Sequence, residues 1–345
     1  MEAKHILTIG IAYKIPKGGI AACEHAYSTF FEPFYHIPTV VMGSKWEKLG
    51  TIILAWPKFF WYLLTKDIKI VHVQGASNAS FWRKAPFILT SKMFGKKVVY
   101  HMHGGGFRQF TAKHKKAVQF VVDRCDAVIA LSDVFKVFFE QNLHVKNVVI
   151  IANPVETAVE DHSIRQEGIC NFLFLGLINK AKGVFDLIEV VNEYKDELRG
   201  KAKFVIGGVG EMKKMTNYLI DNEIDDIVEV AGWLAGDEKI KRLNEADVFI
   251  LPSYIEGVPI CILEAEVFHL PIISTNIGGI PEIVKHGING YTLTAGDKKQ
   301  LGEAILEMAN NKDLRENMGR ASYKFAEPHL IPVVEKQLKE LYESI

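Results

Sequence analysis

Cysteine is scarce in this sequence and widely spaced. Four cysteines occur among 345 residues, as Cys23, Cys125, Cys170 and Cys261. No two of them form a CxxC pair, which excludes a zinc knuckle and a redox dithiol motif. Cysteines this sparse are typical of a reducing compartment, so we expect a cytoplasmic protein.

Long apolar runs are also missing. The most apolar stretch, residues 49–64, is interrupted by Pro57 and Lys58 and is too short to span a bilayer. Residues 1–11 lack a basic region followed by a long apolar core, so we expect no signal peptide.

The net charge of the whole chain is zero, but the charged residues are unevenly distributed. The 41 lysines and arginines balance the 41 aspartates and glutamates, which gives no whole-chain case for nucleic acid binding. Residues 1–150, however, hold 20 basic and 9 acidic residues, while the remainder holds 21 basic and 32 acidic residues. Such asymmetry indicates that the N-terminal half meets an anionic surface or substrate, and the alternative is ordinary variation in surface charge.

Short β-branched runs alternate with amphipathic segments along the whole chain. This alternation is typical of βαβ units, in which parallel strands are covered by helices. Two series of five strands favour two doubly wound domains over a single sheet of ten strands. The predicted strands are residues 6–11, 71–73, 98–100, 127–131 and 148–151, then 172–175, 204–206, 228–231, 248–251 and 272–274.

A polar stretch without apolar periodicity separates the two series. We predict an N-terminal domain over residues 1–152, a linker with an exposed loop over 153–170, and a C-terminal domain over 171–325. In residues 326–345, Val334, Leu338 and Leu341 recur at helical spacing, which predicts a terminal amphipathic helix.

Residues 252–264 are the most informative segment for function. They follow a predicted strand, so Glu256 is expected at the carboxyl end of the sheet, where ligands of such folds bind. Pro259 is suited to the first position of a helix, and the N–H groups of the next residues would then face an anion such as phosphate. Glu264 lies in an otherwise apolar helix and needs a partner, which could be a pair of ligand hydroxyls or protein groups.

The pattern Glu-Gly-x-Pro-x-x-x-x-Glu-Ala over residues 256–265 resembles the signature of the retaining glycosyltransferases of family 4. This resemblance implies the GT-B fold, in which two Rossmann-like domains face a central cleft, with the C-terminal helix returning to the first domain. It implies that Glu256 lies beside the donor sugar and that Glu264 holds the ribose. The backbone of Gly257, Val258, Pro259 and Ile260 would contact the sugar and diphosphate.

Other family motifs recur in the expected order. Gly18 and Gly19, which alone would indicate a turn, resemble the glycine loop that closes over the donor diphosphate. His103 matches the histidine of the family's His-Gly-x-x-Phe loop and could hydrogen-bond a sugar or acceptor hydroxyl. Residues 275–282 include a Gly-Gly-Ile-Pro-Glu stretch that resembles a donor-side loop, or is simply a strand-to-helix turn.

One motif departs from the family pattern. Residues 176–183 resemble the Gly-Arg-x-x-x-x-Lys-Gly stretch, in which the resemblance assigns both cations to the diphosphate. Lys182 keeps the lysine, but Leu177 replaces the arginine. Lys180 could supply the missing charge, or it could be a solvated loop residue, and a lysine does not reproduce bidentate arginine geometry.

Aromatic and basic residues are interleaved in the N-terminal half. For the helix predicted over residues 46–64 we expect the apolar side chains to line the core and the lysines to face water; these apolar residues are Trp46, Leu49, Ile53, Trp56, Phe60 and Leu64. For the nine basic residues within 83–97 and 108–116 we expect contact with an anionic membrane or a lipid-phosphate acceptor.

The sequence therefore predicts a retaining glycosyltransferase that moves a sugar from a UDP-sugar to a glycan or lipid-linked acceptor, in cell-surface polysaccharide or glycolipid biosynthesis. No Asp-x-Asp motif follows a predicted strand, so we expect no metal and no cofactor. We also expect no nucleic acid partner and a position at the inner face of the membrane. Two alternatives stay open: a nucleotide-sugar epimerase of GT-B fold, and a non-catalytic partner subunit.

Overall fold

The computed structural model describes residues 2–14, 18–157 and 168–345. It divides the chain into two compact units. The first comprises Met1–Val155 with His329–Ile345, and the second comprises Glu156–Pro328. Most of the predicted linker, residues 158–167, lies outside the described residues.

The first unit is built on a six-stranded parallel sheet with the order β2-β1-β3-β4-β5-β6. β1 and β3 are buried along their whole length, as expected for a parallel sheet covered on both faces. The five predicted strands are confirmed, and β2 is an edge strand that the periodicity did not indicate. The strands are β1 Ile6–Gly10, β2 Tyr35–Pro38, β3 Ile70–Gly75, β4 Lys97–Met102, β5 Ala127–Ala130 and β6 Val148–Ile150.

Five helices follow the first five strands of this unit. They are α1 Gly19–Phe30, α2 Lys45–Thr65, α3 Ala79–Met93, α4 Phe107–Val122 and α5 Asp133–Asn142. α2 begins with a capping box, in which the Ser44 hydroxyl accepts from the Glu47 N–H at 3.2 Å and the Glu47 carboxylate accepts from the Ser44 N–H at 2.7 Å.

The expectation for residues 46–64 is right about the helix and wrong about its orientation. α2 buries Ala55, Phe59 and Leu63 instead, and the Trp56 ring stacks on Phe87 with 4.1 Å between centroids. Most of the residues that we expected in the core are exposed: Trp46, Leu49, Ile53, Phe60 and Leu64. The helix has two apolar sides, and only one packs on the sheet.

The second unit repeats the architecture with the order β12-β11-β10-β7-β8-β9, again all parallel. Its five predicted strands are confirmed, and β12 is the additional edge strand. The strands are β7 Cys170–Leu175, β8 Ala202–Gly207, β9 Val228–Gly232, β10 Val248–Leu251, β11 Ile272–Thr275 and β12 Gly290–Leu293. The helices are α6 Val184–Glu193, α7 Lys195–Leu198, α8 Met212–Asp221, α9 Gly236–Glu245, α10 Ile260–Val267, α11 Ile280–Ile283, α12 Lys298–Asn310 and α13 Lys312–Ala326.

The last helix, α14 Ile331–Ser344, belongs to the first unit. Its buried side includes Val334, Leu338 and Leu341, the residues whose spacing predicted it. The Tyr342 hydroxyl lies 2.6 Å from Nδ1 of His72 in β3. The prediction that a terminal helix returns to the first domain is confirmed. No helix within the described ranges is long and apolar enough to cross a membrane.

Candidate active site

The strand order defines where a ligand would bind in each unit. In each sheet the chain adds strands first on one side of its starting strand and then on the other side. The point at which the direction changes lies between β1 and β3 in the first sheet and between β7 and β10 in the second. In open α/β sheets ligands bind beyond the carboxyl ends of the strands at such a switch point. In the second unit, the loops there are residues 176–183 and 252–259, which carry most of the predicted donor-site residues.

Lys182 and Glu256 meet at this switch point. The Lys182 Nζ lies 2.5 Å from Oε1 of Glu256, and the Ser253 hydroxyl donates to the same oxygen at 2.8 Å. The Asn179 side chain accepts from the Lys182 N–H at 3.1 Å and so fixes the turn that carries the lysine. The side chains of Lys182 and Glu256 are 25% and 8% exposed, so the glutamate is buried and the lysine keeps partial access to solvent.

A glycine allows the two loops to approach so closely. Gly183 has φ +67°, and a Cβ placed on it would lie 1.8 Å from the Pro252 carbonyl oxygen. The Tyr254 N–H also donates to the Ala181 carbonyl at 2.9 Å. Backbone contact between the loops therefore holds Lys182 beside Glu256.

A second glycine loop packs on the other side of Glu256. Gly278 has φ +55°, and its Cβ would lie 2.2 Å from the Glu256 carbonyl oxygen. The Gly279 N–H donates to the Gly257 carbonyl at 2.8 Å. The donor-side loop suggested by the resemblance thus contacts the glutamate motif directly, and it is also the turn into α11.

The start of α10 differs in detail from the prediction. Pro259 is the extended N-cap residue and not the first helical residue, and the Ile262 N–H donates to the Pro259 carbonyl at 3.1 Å. The expectation that the Ile262 N–H is free for a ligand is therefore wrong. The N–H groups of Ile260 and Cys261 occupy the first helical positions.

Glu264 has a protein partner that the sequence did not indicate. The Lys239 Nζ, from α9, lies 2.6 Å from Oε1 of Glu264, whose side chain is 20% exposed. A carboxylate has about four acceptor positions, so this ion pair leaves room for further hydrogen bonds. Lys180 and Leu177 are both exposed in the loop that carries Lys182, and the role of Lys180 stays a prediction.

In the first unit, His103 follows β4 and is held by Gln74 of β3. Its Nε2 is hydrogen-bonded to Oε1 of Gln74, and its backbone N–H donates to the Gly75 carbonyl at 2.9 Å. Desolvation and, next, the positive charge of Lys84 lower the pKa of His103 to about 3. The ring is therefore neutral at pH 7 and does not titrate near neutrality. His101 is fully buried, and its ring stacks on that of His103 with 4.2 Å between centroids.

Lys84 is not part of a surface cluster. It is fully buried in α3, where its Nζ donates to the Gln74 carbonyl, and burial lowers the pKa of Lys84 to about 8. Lys92 and Lys97 are paired with Asp126 at 2.7 and 3.3 Å. The expected basic surface is thus reduced at residues 83–97, whereas the four basic residues within 108–116 are exposed.

The glycine loop of the first unit is described only in part, because residues 15–17 lie outside the described ranges. Gly18 has φ +103°, which favours glycine, and precedes α1. One turn into α1, the buried Glu24 carboxylate accepts the Ile11 N–H at 2.9 Å and pairs with His36 at 2.7 Å. Glu24 therefore anchors the start of this loop, and the roles of Gly18 and Gly19 toward a ligand stay predictions.

Two doubly wound parallel units, with a paired glutamate and lysine at the switch point of the second, have the architecture of the GT-B fold. The family model described as Glycosyltransferase Family 4 matches residues 20–159, and the one described as Glycosyl transferases group 1 matches residues 160–325. The chain belongs to the group 1 and family 4 glycosyltransferases.

Named relatives are distant. An uncharacterized glycosyltransferase of Methanocaldococcus jannaschii is 27% identical over 228 residues, which cover 66% of this chain and 62% of the relative. A Campylobacter jejuni N-acetyl-D-galactosaminyltransferase, named for a glycan on PP-undecaprenol, is 26% identical over 199 residues, which cover 56% of this chain and 53% of the relative. The chain spans between 36% and 62% of the length of three curated relatives, among them the M. jannaschii protein.

A solved structure covers the whole chain. Anabaena HepE in complex with UDP superposes with a TM-score of 0.76 at 16% identity, and the match covers 100% of both chains. At this identity the likeness shows the fold alone.

Proposed function

We propose that this protein is a retaining glycosyltransferase that moves a sugar from a UDP-sugar to a glycan or lipid-linked acceptor, in cell-surface polysaccharide or glycolipid biosynthesis. The observation that carries the proposal is the Lys182–Glu256 pair at the switch point of the second sheet, in which the two charged atoms lie 2.5 Å apart and the lysine is partly exposed. The UDP bound to HepE and the lipid-linked substrate in the name of the C. jejuni relative support the donor and acceptor classes.

Lys182 is the cation for the diphosphate. An ammonium group has three N–H donors, and its contact with Glu256 uses one of them. The remaining donors can bind phosphate oxygens without breaking the ion pair. A fixed positive charge stabilises the leaving diphosphate as the sugar bond breaks, and Lys180 adds charge where Leu177 replaces the family arginine.

Glu256 acts on the sugar and Glu264 on the nucleotide. Lys182 and Ser253 both bond Oε1 of Glu256, which holds the carboxylate in one orientation beside the reacting sugar. Glu264 binds the ribose hydroxyls through acceptor positions that Lys239 leaves available. The backbone of residues 257–260 contacts the sugar and diphosphate, with the first N–H groups of α10 facing the phosphates.

His103 is a hydrogen-bonding group and not a proton-transfer group at neutral pH. Its neutral ring is oriented by Gln74, and it bonds a hydroxyl of the sugar or the acceptor. Because Lys182 and the start of α10 neutralise the diphosphate, the reaction needs no divalent metal. EDTA should leave the wild-type rate unchanged, and a strict requirement for added Mg²⁺ or Mn²⁺ would contradict this.

We place the protein at the inner face of the membrane, with the basic residues of α4 toward anionic lipid. Arg108, Lys113, Lys115 and Lys116 are all exposed on one helix. None of the four cysteines, all of which lie in the described ranges, forms a disulfide, which suits a reducing compartment.

The test compares Glu256→Gln and Lys182→Met with wild type, using UDP binding by calorimetry and turnover of UDP-glucose and UDP-GlcNAc. Lys182→Met should weaken UDP binding by about tenfold or more, since a charge-assisted hydrogen bond contributes about 1.5–3 kcal/mol. Glu256→Gln should abolish most turnover yet retain or strengthen UDP binding, because Lys182 loses a competing carboxylate.

Glu303→Gln is the matched control, since this glutamate is exposed on α12 of the same unit. Loss of UDP binding in Glu256→Gln with unchanged turnover would refute the assignment. Product analysis with and without a glycan acceptor separates transfer from epimerisation, because an epimerase changes the sugar without any acceptor.

A further inference from the structure

The outward side of α2 is an exposed apolar stripe. Trp46, Leu49, Ile53, Phe60 and Leu64 are separated by three, four, seven and four residues, and at 100° per residue they fall within an arc of about 60°. Their exposure is high, reaching 81% for Trp46 and 73% for Leu64. We call these five residues the α2 stripe.

The fold does not need the α2 stripe. The opposite side of the helix already packs on the first sheet through Ala55, Phe59 and Leu63. Since a helix needs one apolar side to pack on a sheet, the second side is surplus for the packing seen in this unit. It is also costly, because it leaves large side chains in water.

The apolar surface extends beyond α2. The Phe60 ring lies 5.9 Å from the Phe94 ring, measured between centroids, at the end of α3. Phe94 is 41% exposed, and the adjacent Met93 is 84% exposed. An apolar surface that joins two elements exceeds the isolated exposed side chains that soluble proteins normally carry.

No lysine lies within the α2 stripe. At 100° per residue, Lys45 lies about 40° from the edge of the stripe, and Lys48 and Lys58 lie about 100° or more from it. Lys45 and Lys48 are exposed, and the Lys58 Nζ donates to the His36 carbonyl at 2.9 Å. The single acidic residue of α2, Glu47, is engaged in the capping box with Ser44. The stripe is thus an apolar surface next to Lys45, in a half of the chain with an excess of basic residues.

This pattern favours an anionic lipid surface over a second copy of the chain. Two copies joined through α2 would bring their lysines together, in a half of the chain that already holds 20 basic and 9 acidic residues. An anionic bilayer offers acyl chains for the stripe and phosphates for the lysines. Trp46 suits the membrane interface, where indole rings are enriched.

We propose that the α2 stripe inserts into the boundary between headgroups and acyl chains of an anionic bilayer. The inference deepens the proposed membrane position by naming an inserted element, and it does not depend on the sugar-transfer chemistry. Electrostatic attraction through α4 alone would be released by salt, whereas insertion of apolar side chains persists.

The experiment measures co-sedimentation of the full chain with vesicles of phosphatidylcholine alone or mixed with phosphatidylglycerol, at low salt and at about 0.5 M NaCl. The variant is Leu49→Gln, Ile53→Gln and Leu64→Gln combined, at exposed positions that leave the core intact. The control combines Ile220→Gln, Ile240→Gln and Ile288→Gln, exposed isoleucines of the second unit.

Wild type and control should bind the anionic vesicles, keep part of that binding at high salt, and show quenching of Trp46 by brominated lipid. The difference in quenching between wild type and Trp46→Phe gives the contribution of Trp46. The α2 variant should partition into anionic vesicles at least about tenfold more weakly than wild type, since each buried Leu or Ile contributes substantially to insertion. It should also show no vesicle binding at high salt.

Equal vesicle binding by wild type and the α2 variant would overturn the proposal. So would a wild-type dimer in sedimentation equilibrium that becomes monomeric in the α2 variant, because a second copy would then cover the stripe. UDP binding, measured on the same variants, should be unchanged, so a failure here is distinct from a failure of the proposed enzyme function.

Discussion

Mild acid should destabilise the first unit through its buried histidines, and His72 allows the effect to be measured. This residue lies in β3 with 1% exposure, bonded to Tyr342 and stacked on His101 with 5.3 Å between ring centroids. Burial lowers the pKa of His72 from an ordinary 6.5 to about 3. The native state therefore keeps the ring neutral under conditions in which the unfolded chain binds a proton.

The sign and size follow from proton linkage. Below pH 6.5 the unfolded state takes up a proton that the native state does not, so the free energy of unfolding falls until the pH reaches about 3. At about 1.36 kcal/mol per pH unit, His72 costs about 2 kcal/mol between pH 7 and pH 5. His103, with a pKa of about 3, and His329, with a pKa of about 4, add similar amounts. The combined loss of about 6 kcal/mol is comparable with the stability of a whole domain.

The assay is urea unfolding of wild type and His72→Asn at pH 7 and pH 5, followed by tryptophan fluorescence. Four of the five tryptophans, Trp46, Trp56, Trp61 and Trp82, belong to the first unit. His72→Asn should lower stability at pH 7, but its loss of stability from pH 7 to pH 5 should be smaller than in wild type by about 2 kcal/mol.

His25→Asn is the control, because His25 is exposed on α1 of the same unit and its replacement should leave the pH dependence as in wild type. The reasoning is refuted if wild type and His72→Asn lose the same stability between the two pH values.

Two further predictions concern the second unit. Burial raises the pKa of Glu266, on α10, well above its usual 4.5, so stability should fall as the pH rises above 4.5. Glu266→Gln should remove that loss in urea unfolding at pH 5 and pH 8, and an unchanged pH dependence would contradict the burial argument. Gly183→Ala should weaken UDP binding and cost about 1–3 kcal/mol of stability, since its Cβ would meet the Pro252 carbonyl. Gly200→Ala is the control, because Gly200 has a similar φ of +75° but open space around it. If both variants lost the same stability, backbone strain alone would explain the loss and the contact with Pro252 would not contribute.

Local sequence was enough to predict the architecture. Ten of the twelve strands carry short runs of apolar, largely β-branched residues, and this property is visible without any tertiary contact. The two strands that were missed, β2 and β12, are at the sheet edges and are only half buried. β2 and β12 each contain a single β-branched residue, whereas the other two edge strands, β6 and β9, contain two or more. Periodicity therefore indicated β6 and β9 but not β2 and β12.

The glutamate motif was predictable for a related reason. Glu256, Pro259 and Glu264 lie within one strand-loop-helix segment, so their order along the chain already positions them. Their partners lie far away in sequence. Lys182 is 74 residues from Glu256, and Lys239 is 25 residues from Glu264. Such pairs form only when the sheet brings separate loops and helices together.

Burial was the other property that required the tertiary structure. Lys84 belongs to a basic segment in the sequence, yet it is fully buried near His103, where it helps to lower the pKa of that histidine. The helical period of α2 predicted a helix correctly, but both of its sides are apolar. A periodic pattern cannot distinguish two apolar sides, and only the position of the sheet determines that Phe59 is buried and Ile53 faces outward.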